Sequence, residues 1–182
     1  DEVGLGKTIE AGLILCQYWV ERKRKVLIIS PSSLRKQWQN ELLDKFNIES
    51  EIMETKYYKE EKKNGNRTPF IQDKVIITSY NFADNMKEEI KTVIWDLVII
   101  DEAHKLRNVY KQSNKTANGI KWALEGVKKV LLTATPIQNN LLELYGLSMV
   151  LDEYLFGDIK SFRESYMREN NIEELKERLK GF

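Results

Sequence analysis

The chain has 182 residues, 42% of them hydrophobic, which suits one globular domain. Its 29 Lys+Arg against 28 Asp+Glu leave a net charge of +1. Bulk electrostatics therefore make no case for nucleic acid, and any such contact has to come from a local patch. The single Cys16 excludes an internal disulfide framework. No apolar run approaches the ~18 residues a membrane helix needs, and no signal peptide opens the chain. The reading is a soluble intracellular protein without a membrane partner.

In chain order, Ile9–Glu21 reads as a helix following a glycine-containing loop. Val26–Ser30 is a short β-branched run of the kind found in strands buried on both faces. Leu34, Trp38, Leu42 and Phe46 fall at steps of four, one stripe on a helix from about Ser33 that Ser32 or Ser33 can cap. Ile48–Met53 is a weaker strand candidate, and Met53–Phe70 a polar connection with a turn at Asn64-Gly65-Asn66. Val75–Tyr80, Leu97–Ile100 and Val130–Thr133 are further strands; Phe82–Lys91, Ser113–Leu124 and Asn140–Leu151 are the helices between and after them. Tyr154–Phe182 is amphipathic and helical in parts. The alternation predicts an α/β fold, a doubly wound, mostly parallel sheet with helices on both faces.

Three strings carry chemistry. The first is DEVGLGKT, Asp1–Thr8. Gly6, Lys7 and Thr8 match the end of the phosphate-binding pattern G-x-x-x-x-G-K-[ST], with Asp1 in place of its first glycine. Gly4 and Gly6 let the backbone turn its N–H groups toward phosphate, Lys7 would reach the β- and γ-phosphates of ATP, and Thr8 would ligate Mg²⁺. The same string also suits a plain turn before a helix. The second is LVIIDEAH, Leu97–His104, a strand that ends in adjacent carboxylates. Ligands of open α/β sheets sit beyond the carboxyl ends of the strands. Asp101 is thus placed to hold Mg²⁺, and Glu102 to position and deprotonate an attacking water. A solvated acidic strand end is the other reading. The third is LLTATPIQNN, Leu131–Asn140, where Pro136 stops the strand and Thr133 and Thr135 offer hydroxyls that can relay the nucleotide state, or simply cap a turn.

Taken in order, DEVGLGKTIEAGLIL, the Ile29-Ser30-Pro31-Ser32 strand exit with Trp38 behind it, ITSY at Ile77–Tyr80, IIDEAHKLRN and LLTATPIQNNLLELYGL closely resemble the first motor lobe of Swi/Snf-type ATPases in helicase superfamily two. The bacterial branch that recycles RNA polymerase is especially similar. That family has an Asp where Asp1 stands. The resemblance implies a RecA-like lobe over residues 1–166, with 167–182 a helical tail leading to a second motor lobe. It implies ATP and Mg²⁺, double-stranded DNA as track, and RNA polymerase or another DNA-bound protein as partner, in the nucleoid-associated cytoplasm of a bacterium. It carries catalytic roles onto Lys7, Asp101, Glu102 and His104. Coupling roles fall on His104, Thr133, Thr135 and Gln138, and nucleic-acid backbone contacts on Pro31, Ser32, Ser79 and Tyr80.

The same resemblance makes the lobe incomplete at its N-terminal strand and without an arginine finger. The expectation is a gap, a substitute strand or a poorly anchored loop near Asp1–Lys7, and negligible hydrolysis by the isolated lobe. Lys105, Arg107 and the basic-aromatic stretch Lys56–Arg67 are secondary nucleic-acid candidates, the latter interrupted by Glu60 and Glu61 and better read as a solvated loop. Trp38 and Trp122 read as core residues. A strand-separating helicase lobe, for example of a restriction system, and a non-catalytic module on the same fold are the alternative functions.

Overall fold

A computed structural model of the protein describes residues 5–135, 137–138, 140–168 and 171–179. Five strands form one sheet: β1 Val26–Ser30, β2 Ser50–Ile52, β3 Val75–Ser79, β4 Leu97–Asp101 and β5 Lys129–Leu132. Their order is β2-β3-β1-β4-β5, and every pairing is parallel. Nine α-helices lie among the described residues: α1 Leu5–Val20, α2 Arg35–Phe46, α3 Thr55–Lys63, α4 Tyr80–Asn85, α5 Lys87–Thr92, α6 Lys115–Ala123, α7 Leu141–Leu151, α8 Ile159–Phe162 and α9 Ile172–Leu179. The α/β, RecA-like reading is borne out.

Strand alternation builds the two layers. Leu27, Ile29, Ile76, Val98 and Ile100 face one side and pack with Phe82, Ile90, Ile120 and Leu147. Val26, Ile28, Val75, Ile77, Leu97 and Ile99 face the other and pack with Ala11 and Leu15 of α1 and Trp38 and Leu42 of α2. Burial on both faces is why β1, β3 and β4 read as apolar runs. A third cluster joins Leu142 and Tyr145 of α7 to Phe156, Phe162, Tyr166 and Leu175, and so draws residues from both sides of position 166.

Several expectations need correction. The polar stretch after Met53 holds α3. Its polar composition hides a small apolar face in which Tyr58 packs edge-on against Phe82. The helix expected at Phe82–Lys91 is two: Ser79 Oγ accepts the Phe82 N–H and starts α4 at Tyr80, and Met86 separates α4 from α5. Neither Ser32 nor Ser33 caps α2. The N-cap is Leu34, without a side-chain bond, and its N–H donates to the Pro31 carbonyl across a turn. Trp122 is 41% exposed, with Lys91 Nζ 4.2 Å from its ring centroid, because it lies on the outer face of α6. The tail is broken by a π-helical turn, Arg163–Arg168. Of the expected phosphate loop, Asp1 and Gly4 lie outside the described residues. The described part, Leu5–Lys7, already belongs to α1. No sixth strand pairs beyond β5 among the described residues.

Candidate active site at the carboxyl ends of the strands

Because all five strands are parallel, the segments leaving β1, β3, β4 and β5 emerge along one edge of the sheet. These exits hold Pro31 and Ser32, Ser79 and Tyr80, Asp101 and Glu102, and Thr133. Such an edge is where open α/β sheets bind ligands. A cavity of about 260 Å³ opens there, lined by Lys7, Thr8, Leu34, Gln37, Trp38, Asp101 and Glu102. A larger groove of about 740 Å³, beside Trp122 and Lys129, lies at the opposite end of β5 and touches none of these groups.

Asp101 closes β4 and is only 7% exposed. Its Oδ1 accepts the Glu102 N–H at 2.8 Å, and its Oδ2 accepts the indole N–H of Trp38 at 2.9 Å. Burial pushes the Asp101 carboxyl above the usual range, and the Trp38 and Glu102 N–H groups oppose that rise. Glu102 adopts the left-handed region, φ 53°, which turns its side chain out of the strand. The Tyr80 hydroxyl fixes this corner from below, donating to the Asp101 carbonyl at 2.6 Å and reaching the Glu102 carbonyl at 3.2 Å. Burial, then the charges of Asp101 and Glu102, push the phenol far up, so it stays a donor.

From this corner a line of polar side chains crosses the site. Glu102 Oε1 lies 3.8 Å from Lys7 Nζ, and Glu102 Oε2 lies 3.1 Å from His104 Nδ1. His104 Nδ1 is 3.4 Å from Thr133 Oγ1, which accepts the Thr135 N–H at 3.2 Å. Lys7, Glu102, His104 and Thr133 thus connect α1, the exit of β4 and the exit of β5. A second link runs beside it. Arg107 Nη1 donates to Gln138 Oε1 at 2.7 Å, and Arg107 Nε sits 3.7 Å from Glu143 Oε1. Glu143, 5% exposed in α7, accepts the Gln138 N–H through Oε2 at 2.6 Å.

The nucleic-acid candidates divide by exposure. Ser32 is exposed and Pro31 half-buried, whereas Ser79 and Tyr80 are buried, engaged with Phe82 and with the Asp101 corner. Lys105 Nζ lies 5.8 Å from the Tyr80 ring centroid. The stretch 56–67 is tied to the body, with Lys62 Nζ 3.6 Å from Glu89. Gly6 sits in the first turn of α1, where a β-carbon would meet nothing within 4 Å, so packing does not demand a glycine there. Sequence reasoning missed the Trp38–Asp101 bond and the Arg107–Glu143 link. A step-of-four stripe locates Trp38 on the inner face of α2 but not the direction of its N–H.

Among the described residues no group of three or more His, Cys, Asp or Glu could hold a metal by itself. Mg²⁺ does not require one: it keeps several waters and takes one or two carboxylates together with substrate phosphates. The Thr8 hydroxyl and the Asp101 carboxylate, hard oxygen donors lining the same cavity, fit that chemistry.

A parallel sheet wound on both sides, with Asp-Glu-x-His leaving a central strand beside a helix-borne Gly-Lys-Thr, defines a RecA-like lobe with one acidic strand-end site. The chain belongs to the SNF2-related domain family, whose model matches residues 1–181. It is 38% identical over 185 residues to the uncharacterized ATP-dependent helicase YqhH of Bacillus subtilis, covering 99% of this chain and 30% of that protein. It is 36% identical over 167 residues to the RNA polymerase-associated protein RapA of Proteus mirabilis, covering 89% of this chain and 17% of that one. The chain therefore spans less than a third of either relative's length. Its fold is similar to the SWI2/SNF2 ATPase core of Sulfolobus solfataricus, solved in complex with double-stranded DNA: TM-score 0.75, 24% identity, all of this chain and 38% of that one. No helix among the described residues is long and apolar enough to cross a membrane.

Proposed function

We propose that the chain is the ATP-binding lobe of a DNA-dependent ATPase that moves along double-stranded DNA and remodels or displaces bound protein. The observation that carries this reading is the connected array of Lys7, Glu102, His104 and Thr133 beside the buried Asp101 carboxylate. Lys7 neutralises phosphate charge, and Thr8 and Asp101 would hold Mg²⁺, which screens the phosphates when bound. Glu102 orients the attacking water and accepts its proton, and its left-handed backbone aims the carboxylate into the cavity. His104 senses the Glu102 carboxylate and passes its state to Thr133 and Thr135, and Arg107 ties the same segment to Gln138.

Residues 1–166 form the lobe and 167–182 lead toward a second motor lobe. The exposed Ser32 and the half-buried Pro31 are the candidates for the DNA backbone. RNA polymerase or another DNA-bound protein is the cargo, met in the bacterial nucleoid. An arginine finger supplied from outside a lobe is worth roughly 10³–10⁵ in rate, so the isolated 182-residue chain is expected to hydrolyse ATP negligibly. The test is ATP turnover by the complete protein with and without duplex DNA, alongside Lys7→Ala and Glu102→Gln. Each variant is expected to lose on the order of 100-fold or more, as removal of a catalytic proton-transfer or charge-stabilising group does. Native turnover in either variant points instead to a non-catalytic module. Displacement of a third strand from triplex DNA reads translocation, and strand separation in the same assay points to a helicase.

A further inference from the structure

We propose that Trp38 is a positioning residue that presets the Asp101 carboxylate for a metal ion. The inference rests on the proposed nucleotide site and deepens it. An indole N–H is a donor only, and when buried it needs a partner. Trp38 is 2% exposed, and its partner is Asp101 Oδ2, 2.9 Å away and 63 residues along the chain. The other oxygen, Oδ1, is held by the Glu102 N–H. One donor on each oxygen stops the carboxylate from turning about its Cβ–Cγ bond. A carboxylate has about four lone-pair sites, so each oxygen keeps capacity for a cation.

The chemical type of the donor matters as much as its place. A lysine or arginine on Oδ2 would cancel the charge that a metal needs. The neutral indole N–H fixes the group while leaving its negative charge in place. Trp38 is itself held firmly: its helix packs the stripe of Leu34, Trp38, Leu42 and Phe46 against the sheet, and the ring lines the cavity at the site. Hydrogen-bonded partners of metal ligands typically govern 10–100-fold of metal affinity.

The experiment uses the complete protein and a fluorescent ADP labelled on the ribose. The measured quantity is the free Mg²⁺ concentration at which this probe is half bound. Trp38→Phe, which retains ring packing and loses the N–H, is expected to raise that concentration about tenfold. Leu42→Val, a change in the same core cluster away from Asp101, is expected to leave it at the native value. Incorporation of 3-benzothienylalanine at position 38, which keeps the bicyclic shape and replaces N–H by sulfur, is expected to match Trp38→Phe and serves where the phenylalanine variant does not melt cooperatively. A native Mg²⁺ midpoint in the N–H-deleted proteins, or an equal shift in Leu42→Val, overturns the role of Trp38. Asp101→Asn separates the two levels. If Asp101→Asn keeps the native midpoint, the metal site itself is wrong; if Asp101→Asn loses it while Trp38→Phe does not, only the positioning role falls.

Discussion

Replacing Gly146 by alanine probes how α7 is seated against the segment that follows the acidic strand. A β-carbon on Gly146 would stand 2.6 Å from the Arg107 carbonyl carbon and closer still to its oxygen, where real β-carbons do not come within 3.0 Å. Both sides of this contact are backbone, so no side chain can rotate away; the helix or the turn must retreat. Overpacking of this kind costs about 1–3 kcal/mol, and a rigid contact puts Gly146 at the upper end. Alanine's helix preference over glycine returns about 1 kcal/mol, leaving a net loss of about 2 kcal/mol. For a chain of this size that corresponds to a melting temperature lower by about 4–8 °C. Thermal melts of the 182-residue chain followed by far-ultraviolet circular dichroism measure it. Gly12→Ala is the comparison: the three atoms nearest its β-carbon all belong to the Phe46 ring, a side chain that can shift, so the expected loss is smaller. A Gly146→Ala protein that melts at or above the native temperature would refute the reasoning.

Tyr80→Phe removes the hydroxyl that braces the Asp101 and Glu102 carbonyls and is expected to cost about 1–2 kcal/mol in urea unfolding. Because the folded-state phenol lies above its unfolded value of about 10, its contribution is complete below that pH. It is lost as pH rises further, since only the unfolded chain then releases the proton. Native protein should therefore lose stability above about pH 10 more steeply than Tyr80→Phe, and parallel urea midpoints for the two across pH 9–11 would contradict this. Glu143→Ala leaves the Gln138 N–H and the Arg107 guanidinium without their shared carboxylate. The expected loss is about 2–3 kcal/mol, together with a smaller DNA-stimulated fraction of ATP turnover in the complete protein; unchanged stimulation would count against the link.

The sheet was legible because its three inner strands, β1, β3 and β4, are buried on both faces. Val26–Ser30 needs no partner to be recognised, since five successive buried positions leave an unbroken apolar run. The acidic pair was equally visible, as chemistry written next to such a run. What stayed hidden depends on contacts between segments far apart in sequence. Thr55–Lys63 carries seven charged or polar residues and two tyrosines, and only the Phe70 and Phe82 rings reveal that Tyr58 marks an inner face. Tyr80 reads as a strand-exit residue able to face a ligand. The Ser79 cap turns the chain into a helix at that point, and the tyrosine folds beneath Asp101 instead. Glu143 looks like an exposed first-turn acid of a helix, and it is buried because Gly146 lets α7 come close to Arg107.

The strand order has a consequence for synthesis on the ribosome. β1 pairs with β3 and β4, and β2 pairs only with β3, so no two of these five strands can join until Val75–Ser79 has emerged. Until then α1, β1 and α2 present Leu15, Ile28, Trp38 and Leu42 without the sheet that covers them. Pairings this distant pay their loop-closure entropy before contacts reward it. Between the emergence of β1 and that of β3 these apolar faces stay open, the kind of exposure that favours aggregation and that chaperones shield.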